Sequence, residues 1–321
     1  MDRLTLEQQV GQVILLSFSG TTVPAYVRAA LREQRAAGVI LFGGNVVSPR
    51  QLRALTRGLR KAGRKPVIAV DQEGGDVRIV RWAPPAASPP QQAAAGTVGR
   101  DARAAARALR AAGITVSLAP VADVPSVPGA ALAGRGFSRS PARASQAVAA
   151  AVRGWRAGGI SPTAKHFPGL GAAVVNTDDG SVTIRRTRAG LEATDLPPFR
   201  AAIRAGVPVV MVSHARYPAL DRHIASQSRT IIEGLLRRRL GFRGVVMTDS
   251  MEARASIATG TIVEVSERAV RAGADLVLLT GRGSYRPVYR HLLALAQRSP
   301  AFRERVREAA ARVLALKRAG L

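Results

Sequence analysis

The chain is predicted to be an α/β protein, a (β/α)8 TIM-type barrel forming a single domain over residues 1–321. Three observations predict this. Short apolar, β-branched runs recur along the whole length, stretches rich in Ala, Arg and Leu lie between them, and several of those stretches stop at an Ala-Gly or Gly-Gly step. Continuous apolar runs fit strands buried on both faces, as a parallel sheet requires. A glycine after the last helical turn supplies the backbone freedom that ends a helix. Eight strand–helix alternations favour a closed barrel over an open sheet.

In chain order the expected strands are Val13–Phe18, Val39–Phe42, Val67–Val70, Ile114–Leu118, a weakly marked Gly159–Thr163, Val207–Val212, Val245–Met247 and Leu276–Leu279. Helical spacing marks Tyr26–Ala36, Pro49–Lys61, Ala102–Ala112 and Ala142–Ala157. The stop steps are Ala37-Gly38, Ala112-Gly113, Gly158-Gly159, Ala205-Gly206 and Ala272-Gly273. The Pro/Ala/Gln-rich segment Pro84–Gly96 reads as a long loop leaving the third strand, not as a domain boundary.

Composition excludes some chemistries. The chain has no cysteine, which removes disulfides, thiolate metal sites and a cysteine nucleophile. Its formal charge of +27 is almost entirely arginine, since only Lys61, Lys65, Lys165 and Lys317 are lysines. Those arginines are spread along the length, and aromatic residues make up only 4% of the chain. That pattern reads as a solvated coat of the kind a GC-rich genome writes, with nonspecific attraction to polyanions and no specific nucleic-acid partner. Nothing reads as a membrane span. The start, Met1-Asp2-Arg3-Leu4-Thr5-Leu6-Glu7, is charged and lacks the apolar core of a signal peptide. As written the chain reads as cytoplasmic, or as secreted or wall-associated where a signal has been removed. A monomer is expected.

Polar residues cluster where a barrel enzyme places them. Asp71 and Glu73 follow the third expected strand, Asp123 the fourth, Lys165 and His166 the fifth, His214 the sixth, Asp249 the seventh and Thr280 to Gly283 the eighth. Barrel active sites form at these C-terminal strand ends. The segment Lys165-His166-Phe167-Pro168-Gly169-Leu170-Gly171, with Asn176-Thr177-Asp178 after it, has the turn-forming residues of an active-site loop. Carboxylates at Asp71, Glu73, Asp178 and Asp249 beside Arg135 and Lys165 support glycoside hydrolysis, in which one carboxyl attacks the sugar and another protonates the leaving oxygen. Structural roles compete for single residues: Asp249 as a helix cap near Ser250, His214 as a hydrogen-bonded barrel histidine, and Asp123 as a tie between its loop and backbone amides. A lysine at a barrel strand end also fits a Schiff-base aldolase, which leaves Asp249 unexplained.

The chain resembles the family 3 glycoside hydrolases of the β-N-acetylglucosaminidase type. The resemblance runs in order through Gly11-Gln12, Val39-Ile40-Leu41-Phe42, Asp71-Gln72-Glu73-Gly74-Gly75, Ala119-Pro120-Val121-Ala122-Asp123-Val124, Lys165-His166-Phe167-Pro168-Gly169, Asp195-Leu196-Pro197-Pro198-Phe199, Ser213-His214-Ala215-Arg216-Tyr217-Pro218, Leu240 to Asp249 and Ala272-Gly273-Ala274-Asp275. Only the barrel of that family is represented. The resemblance implies a retaining mechanism on terminal β-linked N-acetylglucosamine, with Asp249 as nucleophile and Asp71, Arg135, Lys165 and His166 binding the sugar. His214 is added to the substrate-binding candidates, and no metal or organic cofactor is expected. Two departures stand out. The first is in one loop, where Leu170 occupies the place of a usual histidine and Asn176-Thr177-Asp178 replaces the Asp-Ser-His that carries the usual acid/base histidine. Asp178 is therefore the expected acid/base, ahead of Asp179, on the premise that partial desolvation raises its carboxyl. A weakened glycan-binding barrel and a β-glucosidase are the alternatives. Asp76 is the second departure, with Arg78 and Arg81 near it.

Overall fold

The structure is a computed structural model and describes residues 4–319. Eight strands close into one barrel: β1 Ile14–Leu16, β2 Gly38–Ile40, β3 Val67–Val70, β4 Val116–Ser117, β5 Ser161–Phe167, β6 Val209–Val212, β7 Val245–Ser250 and β8 Leu276–Leu279. Each pairs in parallel with its neighbours in chain order, and β8 closes on β1 through Ile14 opposite Val277. Helices such as Pro49–Ala62, Val98–Ala111, Pro141–Ala157 and Ile262–Ala272 fill the connections. Several start where a hydroxyl accepts a free backbone N–H: Ser48 from Gln51, Ser140 from Arg143 and Thr261 from Glu264.

The expected helix stops hold for a stated reason. Gly113, Gly159, Gly206 and Gly273 all take positive φ, between 79° and 118°, which a side chain would resist. Gly38 differs. It opens β2, and a Cβ there would lie 1.9 Å from the Val67 carbonyl oxygen, so its glycine serves close strand approach. The helix expected over Tyr26–Ala36 spans Ala25–Arg32 and ends before Ala36 because the chain turns at Gln34, whose φ is 58°. The Pro84–Gly96 loop contains the short helix Pro89–Ala94, and a hairpin of Gln72–Gly74 with Val77–Arg78 stands at the top of β3.

Two strand expectations need correction. The fifth strand starts later than Gly159 and runs on to Phe167, so Lys165 and His166 lie within β5 and not after it. The seventh runs past Met247 to Ser250, which makes Asp249 a strand residue. It caps no helix, because the next short helix, Arg254–Ile257, has Ala253 at its cap. Both strands carry polar residues at their upper ends, and those break the apolar run that marks a buried strand in sequence.

The barrel interior is filled by Leu15, Ile40, Val67, Ala69, Val116, Leu118, Val209, Met211, Val245, Met247, Leu276 and Leu278. Val313 and Leu316 of the C-terminal helix, Pro300–Arg318, join this cluster. On the same helix Lys317 is buried, and its Nζ donates to Gln12 Oε1 at 2.6 Å. A second polar anchor is Asp275, fully buried, which accepts from the Val246 amide and from Arg237, Arg305 and Arg312. It ties the outer helices to β7. No helix among the described residues is long and apolar enough to cross a membrane. The expectation made for Met1-Asp2-Arg3 lies outside the described residues.

Candidate active site

A cavity of about 360 Å³ opens at the C-terminal ends of the strands. Asp71, Arg135, Lys165, His166, Asp178 and Asp249 all line it, so six of the seven expected site residues are brought together. Its floor is apolar, made by Ile40, Leu118, Met211 and Leu278 from the top of the barrel interior. Lys165 and His166 are adjacent, yet both face the cavity, although neighbours on a regular strand face opposite ways. The ladder between β5 and β6 shifts register between Ala164 and Phe167, which re-aims this pair.

One wall is an ion network whose centre is Glu73. Arg135 donates to it twice, from Nε at 2.8 Å and Nη2 at 2.7 Å. Lys165 Nζ lies 2.6 Å from both Glu73 Oε1 and Asp71 Oδ1. The Glu73 side chain is 1% exposed. Burial alone would raise its carboxyl, but Lys165 and Arg135 outweigh that and hold it down at about 2. Burial likewise opposes the Lys165 ammonium, and the two carboxylates push it the other way, above its ordinary value. A fork-to-carboxylate pair of this kind fixes the direction of the remaining guanidinium N–H groups. Arg135, 24% exposed, is thereby aimed at the cavity. Glu73 was visible as a strand-end carboxylate, but its bridging role depends on Arg135 from another loop and has no local sequence signal.

Asp123 organises the facing side. It is fully buried and accepts from the His166 amide at 3.1 Å, the His166 ring Nδ1 at 2.7 Å and the Leu170 amide at 2.6 Å. Its role as a loop tie is thus realised, with the histidine ring added. The other ring nitrogen, Nε2, stands 3.9 Å from Asp249 Oδ2. Asp249 also accepts the Ser250 amide at 2.8 Å through Oδ1. Burial pushes the Asp249 carboxyl up, while His166, His214, the Ser250 N–H and Lys165 bring it below its ordinary value.

Asp178 sits at the rim on the loop after β5. Its backbone carbonyl accepts the Arg254 amide, and that of Thr177 accepts the Ala255 amide at 3.0 Å, so the loop leans on the segment after β7. Asn176 donates to the Asp178 carboxylate at 3.3 Å and takes its amide through Oδ1. Asp178 is solvent-exposed, so its desolvation is partial. That desolvation and then the Asp249 charge raise its carboxyl, against smaller opposing effects of His166, His214 and Arg135. Asp178 and Asp249, two of the three carboxyls lining the cavity, are therefore displaced in opposite directions. Asp76 is exposed and does not line the cavity.

His214 is the correction. It does not line the cavity and is fully buried, with Nδ1 2.7 Å from Ser226 Oγ and Nε2 2.8 Å from the Ser250 carbonyl oxygen. Both nitrogens are used, so it has none left for a sugar. It holds the backbone beside Asp249 instead. Burial is the main cause that lowers its pKa, which favours the neutral ring. Ser250 and Thr280 also border the cavity, joined through their hydroxyls at 2.6 Å.

Residues 5–316 match the model of the glycosyl hydrolase family 3 N-terminal domain. A β-hexosaminidase of Stenotrophomonas maltophilia strain K279a is 37% identical over 279 residues, covering 83% of each chain. The crystal structure of a β-N-acetylhexosaminidase from Beutenbergia cavernae superimposes with a TM-score of 0.89 at 33% identity, over 98% of both chains. A family 3 β-N-acetylglucosaminidase from Paenibacillus sp. FPU-7 gives 0.92 at 32% identity, over 98% of this chain. The present chain spans 62% of that longer enzyme. With barrel, matched span and relatives in agreement, this chain belongs to glycosyl hydrolase family 3.

Proposed function

We propose that the protein is a retaining β-N-acetylglucosaminidase that removes terminal β-linked N-acetylglucosamine from glycans. The observation that carries this reading is the pair of carboxyls in one cavity, Asp249 shifted down and Asp178 shifted up. Such opposed shifts suit one group to attack as the anion and the other to donate a proton. The sugar's hydroxyls are held by Asp71, Arg135, Lys165 and His166, kept in place by Glu73 and Asp123. Asp249 attacks C1 while the Asp178 acid protonates the departing oxygen, so the glycosidic bond breaks and a glycosyl ester forms. Asp178, now a carboxylate, takes a proton from water as that water attacks C1 and frees Asp249. A bound sugar covering the rim completes the desolvation of Asp178. The catalytic unit is one barrel that works as a monomer, and the arginine coat serves no specific nucleic acid.

The experiment is hydrolysis of nitrophenyl β-N-acetylglucosaminide followed by NMR. The parent is expected to release the β-anomer first, and Asp249→Ala to lose turnover. Saturable sugar binding with no turnover of any activated substrate would favour the weakened glycan-binding barrel. A higher kcat/KM on the glucoside would favour the β-glucosidase.

A further inference from the structure

The arginine coat is uneven. The helices that follow β2, β3 and β4 are neighbours on the barrel ring. Pro49–Ala62 and the turn after it to Lys65 carry seven cations and no carboxylate. Val98–Ala111 carries four arginines and one carboxylate, Asp101. Pro141–Ala157 carries three arginines and no carboxylate. Every one of these cations is solvent-exposed. The far side of the barrel is built differently. Ile262–Ala272, after β7, sets two carboxylates against two arginines, with Arg271 paired to Glu267. On Pro300–Arg318, Arg305, Arg307 and Arg312 each have a carboxylate partner.

The three helices form one surface. Thr56 Oγ1 donates to the Ala112 carbonyl at 2.8 Å and Arg60 Nη2 to that of Gly113 at 3.1 Å, which ties the first helix to the end of the second. Gly154 and Gly158 let the third lie close on the second: a Cβ at 154 would meet the Gly99 carbonyl oxygen at 2.4 Å, and one at 158 that of Arg103 at 2.8 Å. Along the first helix Arg50, Arg53, Arg57 and Arg60 recur every three or four residues, a step of about 5 Å on one side. Arg100, Arg103, Arg107 and Arg110 repeat the pattern on the second. Part of this charge serves the fold. Arg60, Arg110 and Arg156 stand in last helical turns, where a cation offsets the helix dipole, and Arg156 donates to the Ala205 carbonyl at 3.1 Å. Arg53, Arg57, Arg103 and Arg107 have no such task. They lie within their helices, and among the described residues none of their guanidinium groups has an ion-pair or hydrogen-bond partner. Like charges one turn apart repel, so each pair destabilises its own helix until an anion lies over it.

We propose that this face docks on a bilayer surface rich in anionic phospholipid. A convex array across three helices suits phosphates spread over a plane, whereas a nucleic-acid strand is held in a groove with aromatic rings between the cations. Trp155, the one aromatic residue of the three helices, is buried. Among the described residues no large apolar side chain of these helices is exposed, so the contact is electrostatic, without insertion. The helices run into the starts of β3, β4 and β5, at the barrel end away from the cavity, so the docked molecule keeps its mouth clear. The proposal stands independently of the glycan that the cavity takes.

The test is sedimentation of the full chain with vesicles of phosphatidylcholine, alone or with about 30% phosphatidylglycerol. The parent is expected to bind the anionic vesicles only, and to come off as salt rises from about 0.05 M to about 0.5 M. The fourfold variant R53Q, R57Q, R103Q and R107Q should lower vesicle partitioning by about 100-fold or more, since each cation near such a surface contributes about fivefold. A control variant with the same charge change, R222Q, R229Q, R243Q and R290Q, alters exposed arginines around β6 to β8 and should lose less than about fivefold. Equal losses in the two variants would mean that net charge alone acts, and would overturn the inference. Binding to neutral vesicles, or none to anionic vesicles at low salt, would overturn it as well. A single-stranded oligonucleotide that displaces the parent from vesicles at equal phosphate would assign the face to nucleic acid instead.

Discussion

Replacing Glu73 with glutamine removes the charge at the centre of the site's ion network and almost none of its volume. In the parent this carboxylate bridges Arg135 and Lys165 with its side chain 1% exposed. Its carboxyl is held at about 2 against an ordinary 4.5, which corresponds to about 3 kcal/mol of folding stability at neutral pH. Breaking one side of a buried ion pair costs roughly 3–5 kcal/mol, and the partial exposure of Arg135 favours the lower end. At roughly 2 cal/mol/K of unfolding entropy per residue, about 3 kcal/mol lowers the melting midpoint of a 321-residue chain by about 4–5 °C. The pH dependence has a definite sign. A depressed carboxyl contributes fully above its ordinary value of 4.5 and loses that contribution as pH falls through about 2. Urea unfolding between pH 6 and pH 2.5 should therefore show a steeper acid loss in the parent than in Glu73→Gln. A variant that melts within a degree of the parent and keeps the same acid limb would refute the bridging role.

Two further outcomes follow from the shifted groups. Burial brings the Lys317 ammonium down to about 7, so the folded state is penalised below that pH and gains stability as pH rises from 7 towards 10.5. That gain is at most about 5 kcal/mol, and Lys317→Met should flatten it in urea titrations at pH 6, 8 and 10; parallel curves for both proteins would contradict this. In the pH–rate profile the acid limb belongs to ionisation of Asp249 and the alkaline limb to loss of the Asp178 proton. Asp178→Ala should keep the first and lose the second, and a surviving alkaline limb would assign the proton to another group.

The fold was legible because strands buried on both faces must be apolar throughout, as in Val67–Val70, Val209–Val212 and Leu276–Leu279. The errors fall where function interrupts that rule. Lys165, His166 and Asp249 are polar residues within strands, satisfied by partners from other strand ends, so β5 and β7 read as shorter than they are. The site's six cavity residues were legible from their placement and from family resemblance. The bridging role of Glu73 was not, and that of His214 was read as one of two alternatives, the hydrogen-bonded barrel histidine that the structure shows. Glu73 meets Arg135 at a separation of 62 residues, and His214 meets the Ser250 carbonyl at 36, so only the pairing of neighbouring strands brings these partners together.

The claim that Asp178 supplies the proton for a reaction carried by Asp249 is tested most directly by varying the leaving group. Parent and Asp178→Ala would be compared on dinitrophenyl β-N-acetylglucosaminide and on chitobiose, with and without azide. The dinitrophenolate needs no proton to depart, whereas the sugar does. The expected outcome is a loss of about 10²–10⁴-fold on chitobiose, a far smaller first-step loss on the dinitrophenyl substrate, and azide rescue that yields the β-glycosyl azide. Equal losses on both substrates, with no azide product, would contradict it.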